Sequence, residues 1–169
     1  MFVARTVLVV SVWCLGLCAA IRVDDKKHFR LCDIPQAAQL DRVEVQECNR
    51  WPCLVRAGQS GTYHVTFTQH TNEVMRSIKS DIYAWVKLAV NDKNNKPIRV
   101  PMPGERGRQL CGYANPGCPV YPGVPTTITK TINIPAQARA AQGQVLVEFQ
   151  VTDERKNVLV CFKAPVIVA

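Results

Sequence analysis

The chain has 169 residues, with 21 Lys and Arg against 13 Asp and Glu, for a net charge of +8. Its residues are 47% hydrophobic and only 20% charged, which excludes a disordered polyelectrolyte and predicts one domain with a sizeable core. The basic residues are scattered, densest at 22–30, at 93–99 and at Arg106 with Arg108, and form no aromatic-interleaved stripe of the kind that binds nucleic acid.

Taken in order, residues 1–20 read as a secretory signal peptide. Arg5 supplies the positive start, Val7 to Leu17 the apolar run, and Cys18-Ala19-Ala20 the small-residue cleavage site. The run is too short for a membrane span, and no later stretch is long and apolar enough. Residues 21–169 are then the mature domain, and loss of Arg5 lowers its net charge to +7. A solvated surface is the plain reading of that charge; weak attraction to anionic lipid surfaces is the functional one.

Cleavage would leave six cysteines: Cys32, Cys48, Cys53, Cys111, Cys118 and Cys161. Six in a secreted chain predict three disulfides. Spacing selects Cys48–Cys53 across a Trp-Pro turn and Cys111–Cys118 across an Asn-Pro-Gly turn, leaving Cys32 for Cys161. A zinc site is the competing reading, but no CxxC pair occurs.

Leu31 to Ile34 reads as a short strand stopped by Pro35. Leu40, Val43 and Val45 mark a second, and Trp51 reads as a plug over the small cystine. After the Gly58–Gly61 turn, Tyr63, Val65 and Phe67 alternate with polar residues, as in a half-buried antiparallel strand. Glu73 to Arg76 has only passing helical character. Ile78 to Val90 keeps the period of two, and Asn91 to Lys96 reads as a polar turn.

The next stretch carries prolines at 97, 101 and 103, which disfavour a central strand. Yet Ile98, Val100 and Met102 alternate, so an extended edge segment is predicted, forming the mouth of a cavity between two sheets. Residues 127–134 are β-branched and strand-like until Pro135. Ala136 to Gln144 reads as a small-residue loop. Val145, Val147, Phe149 and Val151 form another strand; Asp153 to Asn157 turns the chain; Val158, Val160, Phe162, Val166 and Val168 close it. Seven to eight short strands with almost no helix predict an all-β, immunoglobulin-like sandwich.

Catalytic patterns are missing. His28, His64 and His70 have no placed nucleophile, and Gly58-Gln59-Ser60-Gly61 is not a nucleophile elbow because Thr62 stands where the second glycine belongs. Acidic pairs such as Asp24-Asp25 and Asp153-Glu154 sit in turns. No phosphate-cradling glycine loop occurs. The expectation is a non-enzyme without cofactor or metal.

Several segments carry a likeness: Cys53-Leu-Val-Arg-Ala-Gly-Gln-Ser, Tyr-His-Val-Thr-Phe-Thr, Val-Pro-Met-Pro, Cys111…Cys118-Pro-Val, Ile134-Pro, Val-Leu-Val-Glu-Phe and Val-Cys-Phe-Lys-Ala-Pro-Val. Together they resemble the ML lipid-recognition family over essentially the whole mature chain, nearest its secreted sterol carriers, with the mite group-two allergens as relatives. The resemblance implies an immunoglobulin-like sandwich splayed to hold one sterol or fatty acid, with the three disulfides on the pairs above. It implies lipid carriage by a secreted monomer, extracellular or in the endosomal or lysosomal lumen. The implied partners are the lipid, a membrane surface or a membrane sterol-transport protein. An innate-immune adaptor for microbial lipid is the alternative, and a ligand-free adhesion sandwich a distant third.

The predicted lining is Val55, Tyr63, Val65, Phe67, Ile98, Val100, Met102, Ile134, Ala136, Ala140, Val145, Val147, Phe149 and Phe162. The sterol carriers' aromatic at the mouth falls on Val100, and two further sterol-contact positions fall on Ala136 and Ala140. Tryptophans of two late strands fall on Phe149 and Phe162. The floor stays aromatic while the mouth is trimmed, and the 91–96 turn is longer than in the family.

Overall fold

The computed structural model describes residues 21–22, 29–46, 48, 50–87, 96–141 and 143–169. The signal segment, the strand continuation at 88–90, the turn at 91–95, His28 and Asp24-Asp25 lie outside them.

Two sheets face each other. The first has the order β1 (Ile21–Arg22), β3 (Ala38–Val45), β5 (Ser60–Gln69), β10 (Pro125–Asn133) and β9 (Ala114–Asn115). The second runs β2 (Arg30–Leu31), β12 (Val158–Val168), β11 (Gln144–Asp153), β6 (Ile78–Val86) and β7 (Ile98–Pro101). Two short strands join it from the side: β4 (Cys53–Val55) beside β12, and β8 (Arg108–Gln109) beside β6. All pairings are antiparallel except that of β4 with the end of β12. The all-β sandwich read from the sequence is the fold, with eight strands of three or more residues among the described residues.

Alternation places the core. On β5, Tyr63, Val65, Phe67 and Gln69 are buried while the residues between them are less so. On β6, Ile78, Ser80 and Ile82 repeat the pattern, and on β11 Phe149, Val151 and Asp153 do. Val65, Phe67, Ile78, Ile82, Ile128, Val151 and Val160 have no appreciable exposure and fill one half of the sandwich. Gln69 is buried among them because its amide donates to the Glu73 and Val120 carbonyls, at 2.9 and 3.1 Å. Residues 71–73 and 76 are bends, and Met75 forms an isolated bridge to Val120, without helix.

Several boundaries differ from the sequence reading. The strand read at Leu31 to Ile34 is only Arg30–Leu31, which is β2; Ile34 lies in a bend, 42% exposed, because the chain turns toward Pro35. The three-residue step from Leu40 to Val43 is a register shift opposite β5, which returns both residues to the inner face. The last strand is continuous through Pro165. That residue falls between the short partners β2 at 162–163 and β4 at 166–168, where a missing N–H is tolerated. Residues 136–140 form a 3₁₀ turn rather than a plain loop. β7 is an edge strand, as its prolines predict.

The disulfides are Cys32–Cys161, Cys48–Cys53 and Cys111–Cys118, closing sequence separations of 129, 5 and 7 residues. The first ties β2's end to β12, supported by Cys32 N–H donating to the Cys161 carbonyl at 3.0 Å. The turn at 153–157 is held by Asp153, whose carboxylate accepts from the Arg155 and Asn157 N–H groups, each at 2.8 Å.

Outside the second sheet a single carboxylate ties four strands together. Glu148 of β11 accepts from Trp85 Nε1 of β6 at 2.7 Å and from Arg99 Nη2 of β7 at 2.6 Å. Lys163 of β12 stands 3.6 Å from its other oxygen. Arg99 also covers the Tyr83 ring at 3.3 Å, and Lys163 covers Trp85 at 4.6 Å. Burial pushes the Glu148 pKa up, but the bonds from Arg99 and Trp85 and the two cations outweigh it and hold the group below the ordinary carboxylate value.

Two predictions follow from these ties. A depressed native pKa gives stability that is present above the unfolded carboxylate value, about 4.3, and is lost as pH falls through the native one. Glu148→Gln should therefore cost about 2 kcal/mol at neutral pH and little in strong acid. Melting curves across that range check it; a constant gap between variant and wild type would refute it. Replacing Cys32 and Cys161 by alanine should cost about 5 kcal/mol, against about 2 kcal/mol for either small loop, on loop-closure entropy. Denaturant unfolding of the three double variants gives the order.

Candidate functional site: an apolar cavity between the sheets

Past the filled half, the inward side chains become small. The ring of Tyr63 meets Phe149 edge-on at 4.9 Å, and Phe149 meets Phe162 at 5.5 Å, forming a layer across both sheets. Beyond that layer the inner face of β5 carries Gly61, β6 carries Ala84 and Val86, β11 carries Val147 and Val145, and β12 carries Ala164 and Val166. Facing sheets stand about 10 Å apart and need interdigitating side chains to fill that gap. These residues are too short for that, so the sheets enclose an open space of about 630 Å³.

The walls are almost wholly aliphatic. Val43 and Val45 of β3, Val55 of β4, Ile132 of β10 and Val168 of β12 complete them, and Trp51 closes one side near the Cys48–Cys53 loop. At the open end, β7 contributes Val100, and Met102 follows it, facing Ala138, Ala140 and Ala141 of the 3₁₀ segment. Val100 is 39% exposed, as a residue at an entrance should be.

Of the predicted lining, Val55, Tyr63, Val100, Met102, Ile134, Ala140, Val145, Val147, Phe149 and Phe162 stand around this space. Four do not. Val65 and Phe67 point inward but lie below the aromatic layer, in the filled half with no exposure. Ile98, at the start of the edge strand opposite the lining residue Val86, is 45% exposed and does not line the space. Ala136, the first residue of the 3₁₀ turn, does not line the cavity, whereas Gln137, Ala138, Ala140 and Ala141 do. Alternation gave the correct face for Val65 and Phe67 but carries no information on depth.

The sequence reading missed Ala84, Val86, Ala164 and Val166, although their phase was visible. It also placed Trp51 only over the cystine, whereas Trp51 packs toward the core and lines the space. Lys130 is the larger surprise. It sits opposite Tyr63 on β10, only 4% exposed, between the inward Ile128 and Ile132. Its ammonium is paired with Glu105, in the turn that follows β7, so the buried charge is neutralised. The Tyr63 hydroxyl is buried without a hydrogen-bond partner among the described residues. Burial, then the charge of Glu105 and the nearby Tyr113, raises its pKa far above the ordinary phenol value, so it stays neutral.

Nucleophiles and metal ligands are not brought together here. Among the described residues one grouping could approach a metal, Cys32, Cys161 and Glu148; its sulfurs are joined in a disulfide and its carboxylate is engaged by Arg99, Trp85 and Lys163.

Comparison with known proteins agrees with this architecture. NPC intracellular cholesterol transporter 2 of Danio rerio is 25% identical over 126 residues, which span 74% of each chain. The crystal structure of a Niemann-Pick type C2 protein from Japanese carpenter ant superposes with a TM-score of 0.64. The match covers 83% of this chain and 98% of that one at 13% identity. The sporulation control protein Spo0M of Bacillus subtilis shares the fold more loosely, with a TM-score of 0.51 and 14% identity, over 79% of this chain and 50% of that one. The family model described as the ML domain matches residues 26–168, nearly the whole of the two-sheet body. The chain belongs to the ML domain family.

Proposed function

We propose that this protein holds a single long-chain lipid, a sterol or a fatty acid, in the cavity between its sheets. It carries that lipid outside the cytosol, as a secreted protein or in the endosomal or lysosomal lumen. The observation that carries the reading is the cavity itself: about 630 Å³ bounded by Val, Ala, Ile and Phe, with an entrance at Val100 and Met102. Space of this size lies within the range of small-molecule sites. Burial of each methylene contributes ~0.8 kcal/mol, so a sixteen-carbon chain gains on the order of 12 kcal/mol before the cost of association. An apolar slot needs no polar partner to reach useful affinity. The relative from Danio rerio, a cholesterol transporter by name, supports carriage. The ML domain and this relative support a binding protein rather than an enzyme.

The trimmed entrance bears on which lipid is preferred. Val100 and Ala140 leave an opening less shaped to a rigid ring system than an aromatic pair would, so fatty acids should bind at least as tightly as cholesterol. Val100→Phe should shift preference toward sterol by about 1 kcal/mol, the scale of one aromatic contact. Competition of a fluorescent sterol against oleate, on wild type and variant, measures both. A wild type that takes cholesterol and ignores oleate would show that the mouth does not set selectivity.

Val147→Asp tests the interior. It would place a carboxylate on the cavity wall and lower lipid affinity by several kcal/mol if the group stays charged. A variant with normal folding and full affinity would count against lipid in this space. Organic extraction of the purified protein with mass spectrometry identifies the cargo. Recovered sterol or fatty acid supports carriage; microbial glycolipid would replace it with an adaptor role, and a lipid-free protein that takes up none would end the proposal.

A further inference from the structure

A second concavity lies on the other side of the segment that walls the lipid cavity. It is an open groove of about 820 Å³, and Pro101, Met102 and Pro103 belong to both spaces. Its remaining lining is chemically different: Arg106 and Arg108, with Gln109, the half-exposed Tyr113, and glycines at 104, 107 and 112.

The two guanidiniums are exposed, and neither has a hydrogen bond or ion pair among the described residues. The acidic groups nearby are committed elsewhere. Glu105, beside Arg106, is neutralised by the buried Lys130. Asp81 accepts the Gly107 N–H at 2.9 Å and forms no ion pair with either arginine among the described residues. Gly104 and Gly107 adopt positive φ, at 73° and 59°, which folds the turn back and leaves open space where their side chains would stand. Net positive charge therefore lines one part of the groove, and proline, methionine and tyrosine the other.

We propose that this groove is a second binding site, which takes a small amphiphile bearing a phosphate. Arg106 and Arg108 hold the anion as donors, and Met102, Pro101 and Tyr113 pack against the apolar substituent. Planar guanidiniums match phosphate oxygens in pairs, and weakly hydrated arginine suits such a contact better than lysine does. The apolar half distinguishes this occupant from bare phosphate. The groove shares only Pro101, Met102 and Pro103 with the inner cavity, and the two arginines that hold the anion lie outside that cavity.

The test uses the whole protein, isotope-labelled for NMR, titrated with hexyl phosphate, hexanol and inorganic phosphate in turn. Hexyl phosphate should shift the amides of Gly107 and Gly112 and the arginine Nε signals, and should weaken as salt is added. Arg106→Gln with Arg108→Gln should reduce its affinity about tenfold. Removing the same charge at a distance, by Arg30→Gln with Arg50→Gln, should leave it nearly unchanged. Equal losses in the two double variants would reduce the effect to net charge and overturn the site. So would hexyl phosphate shifts confined to cavity residues such as Ala84 and Val147. Inorganic phosphate binding as tightly as hexyl phosphate would overturn the amphiphile assignment. Oleate titrated in parallel and read at Ala84 and Val147 reports on the inner cavity, so failure there is read separately.

Discussion

The structure depends on a step in side-chain volume. Beyond the layer of Tyr63, Phe149 and Phe162 the inward residues of β5, β6, β11 and β12 are only glycine, alanine and valine. Below the step the sheets meet through Val65, Phe67, Ile82, Ile128 and Val151 at full packing. Above it Gly61, Ala84 and Ala164 cannot span the gap. The aromatic layer acts as a keel that sets the sheet spacing, and the spacing creates the cavity. One sandwich thus has a solid half that supplies stability and a hollow half that is free for a ligand.

A hollow wall needs support that its inner face cannot give. Apolar atoms lining an unfilled space lack partners on one side and forfeit part of their dispersion energy. Here the opposite face compensates. Val100, Ala84, Val147 and Ala164 lie in one row across β7, β6, β11 and β12. Glu148 on the outside joins Arg99, Trp85 and Lys163 from those same four strands. The polar network stands behind the thinnest part of the wall and fixes strand register where packing is weakest. On the first sheet the Lys130–Glu105 pair pins the turn after β7 against β10. Both devices put charge beside the cavity without putting an unpaired charge into it.

Period-two alternation, β-branched runs and turn residues specified strands, faces and the sandwich, because each depends on near neighbours in the chain. Cysteine spacing led to the three bridges, since two loops are short enough to close locally and one pair remains. The edge position of β7 was legible in its prolines. The likeness to the ML family pointed to a cavity between the sheets, and ten of the fourteen residues read as its lining stand around that space.

Tertiary structure alone decided depth. Val65 and Val147 have the same phase and the same side chain, yet one is core and the other is cavity wall, because they lie on opposite sides of the aromatic layer. That distinction depends on which residue of the facing sheet each meets, and register between sheets is a long-range quantity. The same reason hid Lys130, whose inward phase is acceptable only because Glu105 arrives from a turn 25 residues away. Trp51 and the four-strand clamp of Glu148 are further cases, built from contacts that no local pattern records. By itself, the sequence determined which face of each strand turns inward; the packing of one sheet on the other decided where that interior is filled and where it stays open.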